Sequence, residues 1–259
     1  MDHIVPREVS AAVRGRCNAQ EWEMRVQLAA CYRLAAKFRM TDLIYTHISA
    51  RVPGPEHQIL INAYGLTWDE ITASSLVKVD LAGRISEDAT GFGINPAGYV
   101  IHSAIHAARH DVVCVMHTHS RAGVAVSAQQ NGLLPISQHA MRFHGRMSYH
   151  DYEGVVLDTS EQGRLVTNIG TNDALILRNH GLLTMGRAVR ETFDLMYYLE
   201  MACQIQIDAL AGGTPLIHAS HEVAERVAQQ FLRPGRVAAQ RDWPALLRQL
   251  DRDDPSYKD

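Results

Sequence analysis

Long apolar runs and an excess of positive charge are both missing from this 259-residue chain. No stretch approaches the roughly 20 apolar residues that a membrane helix needs, so no membrane partner is expected. The 25 Lys and Arg against 28 Asp and Glu leave a formal net charge of -3, and no basic field points to nucleic acid. Cysteine is scarce: 4 residues, scattered at Cys17, Cys31, Cys114 and Cys203. Without a Cys-x-x-Cys pair, neither a disulfide framework nor a thiolate zinc site is suggested, and each reads as a small buried apolar residue. The first residues lack the basic patch and apolar core of a secretory signal, so a cytoplasmic location is expected. Phenylalanine is sparse, at 5, whereas histidine reaches 14. Histidine serves metals and proton transfer, so its positions carry the functional question.

With 46% hydrophobic and 20% charged residues, the composition is that of an ordinary globular protein. Residues 1–18 read as an N-terminal arm, 19–250 as one α/β domain and 251–259 as a polar, frayed tail. Asn18 and Glu21 form a capping-box pattern ahead of a helix reaching Met40. Residues 48–52, 58–62 and 76–81 read as strands separated by Gly and Pro turns. A helix follows over 96–110, with Pro96 at its start, then a buried strand over 111–116 and a small-residue helix over 121–128. A strand over 174–177 leads through Asn179-His180-Gly181 to a return strand over 182–185. The longest helix spans 188–211 and ends at Gly212-Gly213. Helices are also expected over 221–232 and 243–250. The mix fits a three-layer α/β/α single domain.

The strand over 112–116 runs into His117-Thr118-His119. In extended chain, residues two apart face the same way, so both imidazoles project to one side of a strand end. Alone, such a pair is as readily two solvated or hydrogen-bonded polar residues. Arg178-Asn179-His180-Gly181 also follows an apolar strand, and Gly181 permits a turn that aims His180 inward. Together they fit a three-histidine metal site on His117, His119 and His180 with open coordination positions. Imidazole ligands accept zinc, manganese or iron without choosing among them.

These two motifs resemble the metal-ligand motifs of the class II aldolase/adducin family. The strings 42–49, 71–78, 97–105, 132–137 and 149–152 are similar to the adducin head, and the resemblance runs from about Trp22 to Ala211. It implies a central mixed sheet flanked by helices, one divalent metal per subunit, and a homotetramer with active sites near subunit interfaces. The family's sugar-phosphate enzymes carry a Ser-Ser-acid segment that the resemblance places at Pro96-Ala97-Gly98-Tyr99. On this reading Ala97 and Gly98 replace the serines and Tyr99 replaces the acid. A methyl and a hydrogen cannot hydrogen-bond a phosphate, and a phenol, with a pKa of about 10, is a poor base near neutrality. A common Gly-Asn-Ile-Ser becomes Thr46-His47-Ile48-Ser49, with an imidazole in place of an amide.

The function expected is that of a metal-dependent lyase acting by C–C cleavage or decarboxylation on a small molecule. Its substrate would be a non-phosphorylated oxo- or hydroxy-acid, aromatic acids included. A non-haem Fe(II) dioxygenase acting on a hydroxyaryl oxo-acid is the alternative, and a non-catalytic adducin-like assembly module is a third. Tyr99 and His47 are the catalytic candidates, although Tyr99 reads equally as a packed aromatic and His47 as a turn cap. Arg178, Ser49 and Tyr149 are candidate substrate-binding residues. His102 and His106 share a helix face and read first as packing residues. His139, His144, His150 and His221, with the Asp151 and Glu153 carboxylates, read first as surface or loop groups.

Overall fold

The computed structural model describes residues 5–154, 161–233 and 239–259. The helices are α1 (Arg7–Arg16), α2 (Ala19–Lys37), α3 (Pro96–Ala108), α4 (Arg121–Ser127), α5 (Gln138–Met141), α6 (Gln162–Ile169), α7 (Val189–Ala211), α8 (His221–Leu232) and α9 (Asp242–Asp253). The strands are β1 (His47–Arg51), β2 (Gln58–Ile61), β3 (Val77–Asp80), β4 (Ile85–Glu87), β5 (Cys114–Thr118), β6 (Met147–His150), β7 (Ala174–Leu177) and β8 (Gly181–Gly186). They form one sheet in the order β4-β3-β2-β1-β5-β8-β7-β6. Only β6 and β7 pair in parallel, so the sheet is mixed.

Alternation along β5 explains the three layers. Cys114 and Met116 pack with Leu28, Leu34, Met196 and Leu199 of α2 and α7. Val115 faces the other way, into Ile101 and Ile105 of α3 and Leu165 and Ile169 of α6. Both sheet faces are therefore covered, and the central strands β1, β5 and β8 are buried along nearly their whole length.

Several local expectations change. Asn18 caps α2, accepting the Glu21 backbone N–H at 2.8 Å. The Glu21 side chain does not reach back. It is buried and pairs with Arg25 and Lys78, because a fully buried guanidinium leaves a large uncompensated charge without its carboxylates. The described part of the expected arm contains α1, while residues 1–4 lie outside the described residues. The C-terminal segment is polar but not frayed. Tyr257 is buried at 1% exposure, and the carbonyls of Tyr257 and Asp259 accept the N–H groups of Ala73 and Ser74. One buried ring outweighs seven polar neighbours. Among the described residues, no helix is long and apolar enough to cross a membrane.

Candidate metal centre

Three chain segments bring three imidazoles together. β5 carries His117 at a buried position, and His119 follows one residue beyond the strand end. His180 sits in the turn between β7 and β8. Asn179, not Gly181, takes the left-handed conformation there, at φ 55°; asparagine tolerates that region better than most residues. Gly181 has a different task. A Cβ there would lie 2.3 Å from the Thr118 carbonyl oxygen, so glycine lets β8 approach β5.

The ring centroids form a nearly equilateral triangle: 4.7 Å from His117 to His119, 4.8 Å from His117 to His180, and 4.7 Å from His119 to His180. One nitrogen from each ring lies within 4.8 Å of the other two. His117 Nδ1 is 2.9 Å from the Leu182 carbonyl oxygen, which can only accept, so Nδ1 carries the proton. His119 Nδ1 is 2.9 Å from Asp42 Oδ2 and is fixed in the same tautomer. The two Nε2 atoms then face each other as lone pairs at 3.0 Å. Two acceptors that close repel unless a cation lies against both, so the donor set fits a divalent metal. Burial, with the neighbouring imidazoles, holds His117 well below the ordinary histidine range and His180 down at about 4. Both rings are thus neutral ligands near pH 7.

The three histidines open into a cavity of about 420 Å³, whose walls include His47, Gly98, Ile101, Tyr45, Tyr64 and Tyr152. Among the described residues, no lysine or arginine lines it. His47 pairs across β1–β5 with His117 and is 4% exposed. Burial pushes it down to about 3, and neither ring nitrogen has a hydrogen-bond partner. A Cβ at position 98 would lie 1.9 Å from His47 Cε1. Residue 98, not residue 99, is therefore the position from which a side chain would enter the cavity.

The other candidates fall elsewhere. The Tyr99 hydroxyl donates to the Asp80 carbonyl and accepts the Gly83 N–H at 3.1 Å, tying α3 to the β3–β4 turn. It does not line the cavity, and burial raises it to about 12, so it is a structural residue. Ser49 is fully buried, with its Oγ 2.6 Å from His102 Nδ1 and 2.8 Å from His106 Nε2. It joins β1 to α3 and reaches no substrate space. Arg178 donates to the Gln129 carbonyl at 2.8 Å and stacks on Tyr149, 4.3 Å from the ring centroid. The Tyr149 hydroxyl accepts the Leu133 N–H, so this pair braces a loop away from the cavity. His139 lies against Tyr198, His144 against His221, and His150 between Glu161 and Asn168. Glu153 pairs with Arg164. Asp151 is exposed and does not line the cavity. Asp42 was given no role by spacing, since its contact with His119 spans 77 residues. A second convergence of ligand types, Cys17, Glu21 and Glu87, is already neutralised by Arg16, Arg25 and Lys78.

The Class II Aldolase and Adducin N-terminal domain matches residues 26–207. The crystal structure of an aldolase II superfamily protein from Pseudomonas syringae superposes with a TM-score of 0.93 at 56% identity, covering 96% of this chain and 100% of that one. An L-fuculose 1-phosphate aldolase from Glaciozyma antarctica superposes with a TM-score of 0.82 at 25% identity, over 97% and 99%. Alpha-adducin from Rattus norvegicus is 47% identical over 190 residues, which is 73% of this chain but 26% of that protein.

Proposed function

This chain belongs to the class II aldolase and adducin family, and from that premise we propose that it is a metal-dependent lyase for a non-phosphorylated oxo- or hydroxy-acid. The observation that carries the reading is the pairing of a three-histidine centre, two of its rings fixed in tautomer, with a cavity that no lysine or arginine among the described residues lines. A phosphorylated substrate brings nearly two negative charges, and such sites answer them with cations or converging donors. This cavity offers aromatic rings and one unpaired imidazole instead.

His117, His119 and His180 would hold zinc, manganese or iron(II). The bound cation supplies Lewis acidity, withdrawing the electrons left behind when a C–C bond to a carboxylate or an aldol fragment breaks. The protein's own residues orient the acid and limit water. Asp42 and the Leu182 carbonyl lock two ligand rings. Ile101, Tyr45, Tyr64 and Tyr152 cover the remainder of the acid with apolar surface. Decarboxylation places fewer demands on the site than retro-aldol cleavage, because no hydroxyl proton has to be removed, and no carboxylate is among the described residues that line the cavity. We also propose a homotetramer with sites near its interfaces, on the family resemblance, and a cytoplasmic location, on the sequence pattern.

The likeness to alpha-adducin supports a second reading, in which the domain assembles rather than catalyses. One series of measurements separates the readings. Wild type and His117→Ala are exposed anaerobically to zinc, manganese and iron(II), and the bound metal is counted. The lyase reading expects near-stoichiometric metal in wild type, lost in the variant, and carbon dioxide or aldehyde release from 2-oxo and 2-hydroxy acids without oxygen. Oxygen-dependent turnover of the iron form would transfer the assignment to the dioxygenase. Absence of specific metal in wild type would leave the assembly module.

A further inference from the structure

Position 98 and position 47 cannot both carry an ordinary side chain. A Cβ built on Gly98 would lie 1.9 Å from His47 Cε1, 2.2 Å from Nδ1 and 2.4 Å from Nε2, well inside van der Waals contact with the imidazole. Gly98 sits in the first turn of α3 with ordinary helical backbone, where alanine would normally be preferred over glycine. The glycine is thus explained by the ring beneath it and not by backbone conformation.

The ring itself is incompletely satisfied. A neutral imidazole has one N–H donor and one acceptor nitrogen, and both are unpartnered in His47 although the residue is 4% exposed. The nearest polar ring, His102, stands perpendicular at 5.7 Å between centroids and makes no hydrogen bond to it. His102 Nδ1 is already engaged with Ser49, which also holds His106. This network fixes α3 against β1 and so holds Gly98 over the ring. Buried polar groups are nearly always paired in native proteins, and an orphan in the wall of a cavity points to a ligand that completes it. His47 lies on the same sheet face as its cross-strand neighbour His117.

We propose that His47 and Gly98 act as one specificity element: the imidazole takes the space of any side chain at 98 and pairs with an oxygen of an acid seated at the three histidines. The acid is a 2-hydroxy or 2-oxo carboxylate with an uncharged, aryl or alkyl remainder, matching Tyr45, Tyr64, Tyr152 and Ile101 in the same wall. A hydroxyl suits either ring nitrogen, donating to the unprotonated one or accepting from the protonated one. A phosphoryl group has only acceptors near neutral pH and meets no lysine or arginine among the described lining residues. This inference rests on the metal reading for the ligand and on packing alone for the pair.

The test uses Co(II)-loaded full-length protein, titrated with mandelate and with phosphoglycolate while the visible absorption of the cobalt is followed. Wild type should show a saturable change with mandelate and bind phosphoglycolate roughly tenfold more weakly or worse. His47→Leu should keep its cobalt but lose roughly tenfold or more in mandelate affinity. The packing claim is read by melting temperature. Gly98→Ala should lower it in wild type but raise it in a His47→Ala background, where the normal helix preference for alanine returns. Unchanged mandelate affinity in cobalt-loaded His47→Leu overturns the recognition role. A Gly98→Ala penalty of equal size in both backgrounds overturns the pair. Failure of wild type to take up cobalt sinks the metal reading instead, and the melting comparison still decides the pair.

Discussion

Asp42 reaches the metal centre through one contact, its carboxylate on His119 Nδ1 at 2.9 Å. Such a partner fixes the ring orientation and raises the basicity of the far nitrogen, and losing one typically costs 10–100-fold in metal affinity. Asp42→Asn keeps the shape but can present an amide N–H to a nitrogen that must itself donate. We expect zinc affinity, measured by competition with a chromophoric chelator, to fall by roughly that factor. Equal affinities would show that His119 is oriented by packing alone. Tyr99 gives the opposite expectation. Tyr99→Phe removes hydrogen bonds to Asp80 and Gly83 and should cost about 1–2 kcal/mol in denaturant unfolding with metal content unchanged. The difference between these residues explains what the sequence could and could not carry at this scale. Two-residue spacing on a strand fixes side-chain direction, so His117 and His119 were legible. Around a helix, adjacent residues point about 100° apart. Position 98 faces the cavity and Tyr99, one residue on, points away from it toward the β3–β4 turn. Asp42 was illegible because nothing in local pattern reports a contact 77 residues away.

At the scale of elements, β1 and α3 are joined by a dry polar seam of Ser49, His102 and His106. Both histidines are fully buried. Burial, followed by the nearby His47 and His106 imidazoles, holds His102 well below its ordinary range; burial, followed by Arg51, holds His106 at about 3. The folded state refuses protons that the unfolded state accepts below about pH 6.5, so the unfolded chain binds more protons on acidification. The stability this seam contributes is fully present above pH 6.5 and is lost as pH falls from there toward about 3. The slope approaches about 1.4 kcal/mol per pH unit for each such histidine. The metal-free protein should melt progressively lower from pH 7 to pH 4, and His106→Gln should flatten that dependence. A melting temperature constant over that interval would mean the seam admits a proton without cost. The elements themselves divide by length and pattern. α2, α3 and α7 announce themselves through caps and long periodic faces, β1, β2 and β3 through short segments rich in β-branched residues between turns, and β7 through a short apolar run. β4 has three residues, too few for alternation to register, and β6, four long like β2, β3 and β7, contains no β-branched residue. The C-terminal turn reads as solvent-exposed because only Tyr257 of Asp251–Asp259 is buried.

For the whole molecule, the decisive feature is where the ligands come from. His117 and His119 belong to the centre of the sheet, His180 to the turn joining its next two strands, and Asp42 to the loop ahead of β1. Strand order was not legible in the sequence. Histidines on β5 and at the β7–β8 turn meet only because β8 inserts between β5 and β7, a pairing that no local pattern encodes. A cation on the three rings therefore ties together segments otherwise joined by strand ladders, and it binds only the folded chain. By mass action it should stabilise the fold by about 2.7 kcal/mol when free metal exceeds its dissociation constant 100-fold. Chelator treatment should accordingly lower the melting temperature of the zinc-loaded protein, and zinc should restore it. His117→Ala should melt at one temperature under both conditions, near that of the stripped wild type. The oligomer mass in solution, followed in the same samples, then separates two uses of the metal. In an enzyme whose cation serves chemistry, subunits stay assembled after stripping and only stability falls. In an assembly module that uses the cation to shape its surface, stripping and His117→Ala dissociate the subunits together. The cavity favours the first outcome: its metal ligands open onto space for a small acid, with Tyr45, Tyr64 and Tyr152 around it.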